Sequence, residues 1–186
     1  MKAFQKAVFV LTFIGASFLA NAQYREIGIV SSASMGIMYG PVLDARPVFK
    51  WGKSIQSVRA LRIDRTYMNY STYNGQSYWN ISTGAFFGQE WRKPITDKFY
   101  FLHGPEIGGF YSNGTNYSSV NPAVRYQLGM LYKVNPNINI GLATPLSLSG
   151  NFSKSNGVWT QSSFNMGLFS DTNYLILTYA FEKQKK

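Results

Sequence analysis

The sequence predicts an all-β chain of eight antiparallel strands closed into an up-and-down transmembrane barrel, with ten strands as the alternative count. Three observations carry this. From residue 124 to 148 apolar side chains recur at every second position (Val124, Tyr126, Leu128, Met130, Tyr132, Val134, then Ile138, Ile140, Leu142, Leu146, Leu148) on either side of Asn135-Pro136-Asn137. Period two marks a strand with one apolar face, and two such runs around a short polar turn mark a hairpin. Each arm spans eleven residues, about the 9–11 that a tilted strand needs to cross a bilayer. Second, Lys2 and Lys6 precede an apolar run over 7–20 that ends in Ala20-Asn21-Ala22, the form of a cleaved secretory signal. Third, no apolar stripe of helical period follows it, while 13 Tyr, 14 Phe and 17 Gly dominate the composition, so strands are the default.

The expected organisation is a signal over 1–22 and one barrel domain over 23–186. The signal's apolar run is too short for a spanning helix of about 20 residues, and no later segment is long and apolar enough, so only a barrel can enter the membrane. Strand one is read over 26–39, with Ile27, Ile29, Ala33, Met35, Ile37 and Tyr39 on one face and Gly28, Ser32, Ser34 and Gly36 on the other. Gly40-Pro41 opens a loop through Arg46, and a short second strand with Phe49 and Trp51 outward ends at a Lys53-Ser54 turn. Strand three, over 57–70, puts Arg65 on its apolar face. A bulge there, or a position near the headgroups, spares that charge the bilayer midplane.

Strand four, over 78–92, sets Trp79, Ile81, Ala85, Phe87 and Trp91 outward, with the two tryptophans placed like a pair of membrane girdles. A turn over 93–97 leads to strand five, over 98–112, where Pro105 removes a ladder donor and predicts an irregularity near His103. Uncharged loops are read over 71–77 and 113–119, and the central hairpin ends at 153–157. The last segment, over 160–181, changes phase from Phe164, Met166 and Leu168 to Leu175, Leu177, Tyr179 and Phe181. A bulge within one long strand keeps the count at eight; a turn would give nine, which an up-and-down barrel with both termini on one side does not allow.

The signal, the eight alternating segments, the aromatics near strand ends and the final Tyr174-Leu175-Ile176-Leu177-Thr178-Tyr179-Ala180-Phe181 resemble the small outer-membrane β-barrel proteins of Gram-negative bacteria, the OmpA/OmpX-like barrel family. The resemblance implies export to the outer membrane and recognition of the last strand by the outer-membrane assembly machinery. It implies no functional residue, since that family is mixed in role (adhesion, envelope integrity, lipid A modification).

Removing the signal takes two of the eighteen basic residues and none of the eight acids, so the net charge falls from +10 to +8. Membrane lipid and lipopolysaccharide are the partners this charge suits, and no nucleic-acid motif accompanies it. The sequence identifies no extracellular partner. No cysteine and a single histidine, His103, leave no thiolate or all-imidazole metal site, and no cofactor is expected. The short-turn end, which carries Lys53, Lys93, Lys98 and Lys133, is expected to face the periplasm.

The inward faces collect Lys50, Arg62, Asp64, Glu90, Glu106 and Arg125. Three bases against three acids in a lumen just wide enough for side chains predict a structural charge network rather than catalytic carboxylates. Trp51, Trp79, Trp91, Tyr132, Tyr179 and Phe181 are candidates for the membrane interface, and Tyr73, Tyr117 and Trp159 for a loop binding surface. His103 and Glu106, three apart, fall on opposite faces of a strand and do not make a catalytic pair. The expected function is a non-enzymatic outer-membrane barrel with a closed lumen and polar loops free to bind. Against it stand a soluble periplasmic lipocalin-like carrier, with the apolar faces turned inward, and a lipid-modifying enzyme built on His103. Only 14% of residues are charged, where a soluble surface carries about 25–35%, which favours the membrane.

Overall fold

The computed structural model describes residues 22–36, 40–73, 75–167 and 174–182, with side chains for all but 32–36, 40–44, 65, 73, 161 and 182. The signal therefore lies outside the described residues except for Ala22. Nine strands form one antiparallel sheet: β1 (Tyr24–Gly36), β2 (Gly40–Ser54), β3 (Ser57–Tyr73), β4 (Gln76–Pro94), β5 (Phe99–Gly114), β6 (Tyr117–Lys133), β7 (Ile138–Ser155), β8 (Val158–Gly167) and β9 (Tyr174–Glu182). Each strand from β1 to β7 pairs with the next, and β9 pairs with both β7 and β1, so the sheet closes on itself. Tyr24 and Glu182 are direct partners, which puts the first and last described strands side by side at one end of the ring.

The nine strands occupy eight positions. β7 pairs with β9 over Ile138↔Tyr179 to Ala143↔Tyr174 and with β8 over Ser147↔Gly167 to Ser155↔Val158. Between Ala143 and Ser147 β7 advances four residues, while the eighth position spends seven from Tyr174 back to Gly167, a surplus of three. An odd surplus flips the pleat, which is why Phe164 and Met166 and then Leu175, Leu177 and Tyr179 are all exposed. Residues 168–173, where the sequence reading placed a bulge, lie outside the described residues. Pro145, which has no amide hydrogen to give, sits in the gap of this β7 ladder between Ala143 and Ser147.

The apolar faces point outward. Ile27, Ile29, Phe87, Ile107, Val124, Met130, Leu142 and Leu148 are exposed, whereas Glu26, Lys50, Arg62, Asp64, Glu90, Arg92 and Glu106 are buried inside. The inverted barrel of a lipocalin-like carrier is therefore not the arrangement this chain adopts. The interior is not wholly polar, however. Val30, Val48, Leu102, Leu131, Ala143, Tyr174 and Ile176 pack together inside the wall, and Tyr24, Val58 and Ala180 form a second cluster near the short-turn end. Leu131, an apolar residue out of phase with the outward-facing Met130 and Tyr132 beside it, is a buried member of the first cluster.

Several boundaries differ from the sequence reading. Residues 40–46, expected as a loop, belong to β2 and pair in register with β1. The β2–β3 turn falls at Ile55-Gln56, after the expected Lys53-Ser54. Of the segments read as loops over 71–77 and 113–119, residues 71–73, 76–77, 113–114 and 117–119 belong to strands, with a two-residue turn at 115–116, and the hairpin end read over 153–157 closes in a two-residue turn at 156–157. Asn156 and Gly157 both have positive φ (49° and 83°), the conformation an Asn-Gly hairpin turn requires. At the other end, Asn135 Oδ1 accepts from the amides of Asn137 and Ile138, both at 2.8 Å, and so fixes the central turn.

The two expected irregularities are present. The β3–β4 ladder shifts register between Asp64 and Thr66, skipping Arg65. The β4–β5 ladder breaks between Gly88↔Glu106 and Trp91↔His103, opposite Gly104 and Pro105. A Cβ at Gly104 would lie 1.8 Å from the Gln89 carbonyl oxygen, so only glycine lets the strands meet there.

Candidate functional site

The β pleat sends alternate side chains of β1 to β4 into the lumen, and the charges meet there. Glu90 on β4 is the hub: it accepts from Lys50 Nζ at 2.8 Å, Arg92 Nε at 2.7 Å and Arg62 Nη2 at 3.4 Å. Arg92 spans the lumen to Glu26 of β1 through two parallel bonds of 2.6 and 2.8 Å, the bidentate geometry that a planar guanidinium favours. Glu26 also accepts from Asn139 at 2.9 Å and from the Tyr24 hydroxyl. Glu106 accepts from Arg62 Nε at 2.6 Å and from Gln127 at 2.9 Å.

A second group stands apart from the first. Asp64 pairs with Arg46 and, at 3.1 Å, with Arg125. Arg125 also donates to the Tyr174 hydroxyl at 3.2 Å and lies 3.6 Å over the Phe86 ring. Arg125 and Glu106 are cross-strand neighbours, yet they partner different residues. The six charges collected from the sequence thus divide between two networks, joined by three that it left out: Glu26, Arg46 and Arg92. Glu26 and Arg92 had the right parity but sat at strand ends, and Arg46 lay in a supposed loop. Reading parity through to the ends of the strands would have found the first two.

Such networks do little for net stability, because desolvating the ions offsets much of their attraction. Each of these four carboxylates is committed to two or more donors. Among the described residues no three His, Asp or Glu side chains are placed to share a metal ion.

The outward aromatics occupy both ends of the wall. Trp79 and Trp91 are both exposed and twelve residues apart on β4. That is roughly 40 Å of strand at about 3.3 Å per residue, which a tilt of about 40° reduces to roughly 30 Å, near the ~25 Å apolar band of an outer-membrane barrel. Trp51 lies 6.0 Å from Phe87, Tyr132 4.7 Å from Phe99 and Tyr179 4.8 Å from Phe181 (ring centroids). His103 is half-buried on the outer face, its Nδ1 2.8 Å from the Tyr126 hydroxyl and its ring stacked on Phe101. Glu106 is on the other side of the wall, inside the lumen.

Tyr117 and Trp159 are exposed on neighbouring hairpin tips, tied together by the Asn156 amide donating to the Asn116 carbonyl at 3.0 Å. The Tyr73 side chain lies outside the described residues. Beyond Asp64, residues 66–72 of β3 are exposed on both faces, while β4 stays paired with β5 up to Asn80↔Gly114, so only the tip of the β3–β4 hairpin, from Trp79 outward, extends past its neighbour. The hairpin carries no charge from Thr66 to Trp79 and exposes Tyr67, Met68, Tyr70, Tyr78 and Trp79.

No family model matches this sequence, and no curated protein does. Solved structures of small outer-membrane β-barrels are similar in strand arrangement. Neisserial surface protein A shares 13% identity over 84% of this chain and 93% of its own, with a TM-score of 0.39. Ail, the attachment invasion locus protein of Yersinia pestis, shares 14% over 85% and 97% (TM-score 0.33). In complex with the heparin analogue sucrose octasulfate it shares 12% over 85% and 97% (TM-score 0.43).

Proposed function

We propose that this chain is an integral protein of the bacterial outer membrane, exported by a cleaved signal over residues 1–22, with a closed lumen and no enzymatic activity. The observation that carries the reading is the sorting of side chains across the wall: an outer face of exposed aliphatic and aromatic residues, and an inner face of mutually paired ions. In water that outer face would be a very large apolar patch, and in lipid it is the solvated one. Lys50, Arg62, Asp64, Glu90, Glu106 and Arg125 act as a structural plug, and Trp51, Trp79, Trp91, Tyr132, Tyr179 and Phe181 as interfacial anchors. The end that carries both described termini and the turns at 55–56, 95–98 and 134–137 faces the periplasm.

The exposed hairpins support a binding role at the opposite end. An uncharged, aromatic-rich ladder with both faces open offers area at little desolvation cost, as tyrosine-rich paratopes do. Tyr73, Tyr117 and Trp159 belong to this surface, and a macromolecular partner outside the cell is its natural occupant. The lipid-modifying alternative would need a base and a nucleophile at His103, whose described neighbours are aromatic rings.

Fractionation followed by a gel of unheated and boiled samples in detergent tests the reading. Recovery with outer membranes and a band that shifts on boiling are expected. A soluble periplasmic protein without a shift would overturn it.

A further inference from the structure

The outer wall near the short-turn end does not look like the rest of the apolar band. A single cross-strand row on the outward face runs Phe181, Arg25, Trp51, Arg59, Gln89 across β9, β1, β2, β3 and β4. Two arginines flank a tryptophan on a face that is otherwise aliphatic or aromatic. Lys53, on the same face of β2 at a register shift of the β2–β3 ladder, adds a third cation. Among the strand acids whose side chains are described, Glu26, Asp64, Glu90 and Glu106 are buried on the other side of the wall.

Two concavities meet at this row. The first, of about 360 Å³, is lined by Trp51, Gly52, Lys53, Ser57, Arg59 and Gln89 and, on one side, by Ala22, the last residue of the proposed signal, whose removal leaves the other six in place and the pocket more open. The indole nitrogen of Trp51 is buried and has no acceptor among the described residues. The second, of about 280 Å³, continues from Arg59 and Gln89 up the wall between Phe87, Pro105, Ile107 and Val124. It follows the break in the β4–β5 ladder, where proline opposes glutamine. A cationic pocket at the level of the strand ends and an apolar groove directed toward the middle of the wall thus share the side chains of Arg59 and Gln89.

We propose that these two concavities form one site for an anionic phospholipid, with the headgroup phosphate between Lys53 and Arg59 and one acyl chain along the groove to Ile107 and Val124. Arginine and lysine near a strand end reach the headgroup layer by snorkelling, and a guanidinium matches phosphate oxygens in geometry as well as charge. Trp51 is of the type that prefers that depth. Neither half would select this ligand alone: the groove suits any alkyl chain and the pocket any phosphate. Their adjacency, at Arg59 and Gln89, selects a molecule that is both. The inference rests on the membrane reading above.

Native mass spectrometry of the full mature chain, released from vesicles of equal phosphatidylglycerol and phosphatidylcholine, tests it. Preferential retention of phosphatidylglycerol is expected, reduced roughly 5-fold for each cation removed in Lys53→Gln and Arg59→Gln, and unchanged in the rim control Lys98→Gln with Lys133→Gln. Val124→Trp, which fills the groove without altering charge, is expected to reduce retention as well. The single variants each keep two of the three cations, so the test does not depend on a multiply altered chain folding. Insertion into the vesicles, seen as a heat-shifted band, with equal retention of both lipids overturns this inference alone. Failure of the unaltered chain to insert overturns the membrane reading with it. Displacement of bound lipid by inorganic phosphate as effectively as by dihexanoyl phosphatidylglycerol makes the pocket a phosphate site and overturns the lipid assignment.

Discussion

Glu90 shows how much one inward carboxylate carries. It faces Lys50, Arg62 and Arg92 at once, and none of the three has water to turn to. Glu90→Gln removes the charge and leaves the cations to repel one another in a buried space, so a loss of about 3–5 kcal/mol in unfolding free energy is expected. Urea unfolding in detergent micelles measures it. Asp97→Asn, in the exposed β4–β5 turn, is the comparison and is expected to stay within about 0.5 kcal/mol. The same contrast explains why Glu26 escaped the sequence reading. Its position at the start of a strand looked like a rim, and only the reach of Arg92 from β4 makes it part of the lumen.

At the scale of the element, what a strand faces depends on where along it a residue sits. Leu142, exposed in the middle of the β7 wall, and Met68, exposed on the β3 extension, are alike by exposure and opposite by surroundings. Leu142→Arg is expected to cost about 2–4 kcal/mol in bilayer-reconstituted protein, as a cation does at the midplane, and Met68→Arg less than about 0.5 kcal/mol. Equal costs would mean that the wall is not lipid-facing. The alternation that made β4, β6 and β7 legible comes from this wall, because an apolar outer face and a packed inner face impose period two. The hairpin tips were read as loops for the converse reason. Outside the wall nothing sorts the side chains, and the ladder persists on backbone hydrogen bonds and two-residue turns, to which Ser, Asn and Tyr contribute no periodic signal. The phase change in the eighth position was legible because an odd offset between Gly167 and Tyr174 moves every following side chain to the other face.

For the whole molecule the two networks and the two apolar clusters together decide whether the ring is a pore. Arg92 bridges the lumen from β4 to β1, and Arg125 links β6 to β3, so the interior is crossed as well as lined. Reconstitution into planar bilayers is expected to give no steady conductance steps, and discrete steps would refute the closed lumen. The apolar clusters were the least legible part of this interior, because Val30, Val48, Leu102 and Ile176 occupy positions where parity alone predicts polar residues. The direct pairing of Tyr24 with Glu182 has a consequence for engineering. Partners in an antiparallel ladder lie about 5 Å apart, so a few residues suffice to bridge them, and a chain cut instead within residues 134–137 would trace the same closed path from a different start. The order in which the strands are written in the sequence is thus separable from the order in which they stand in the wall, and a circular permutant should keep every pairing of the ring.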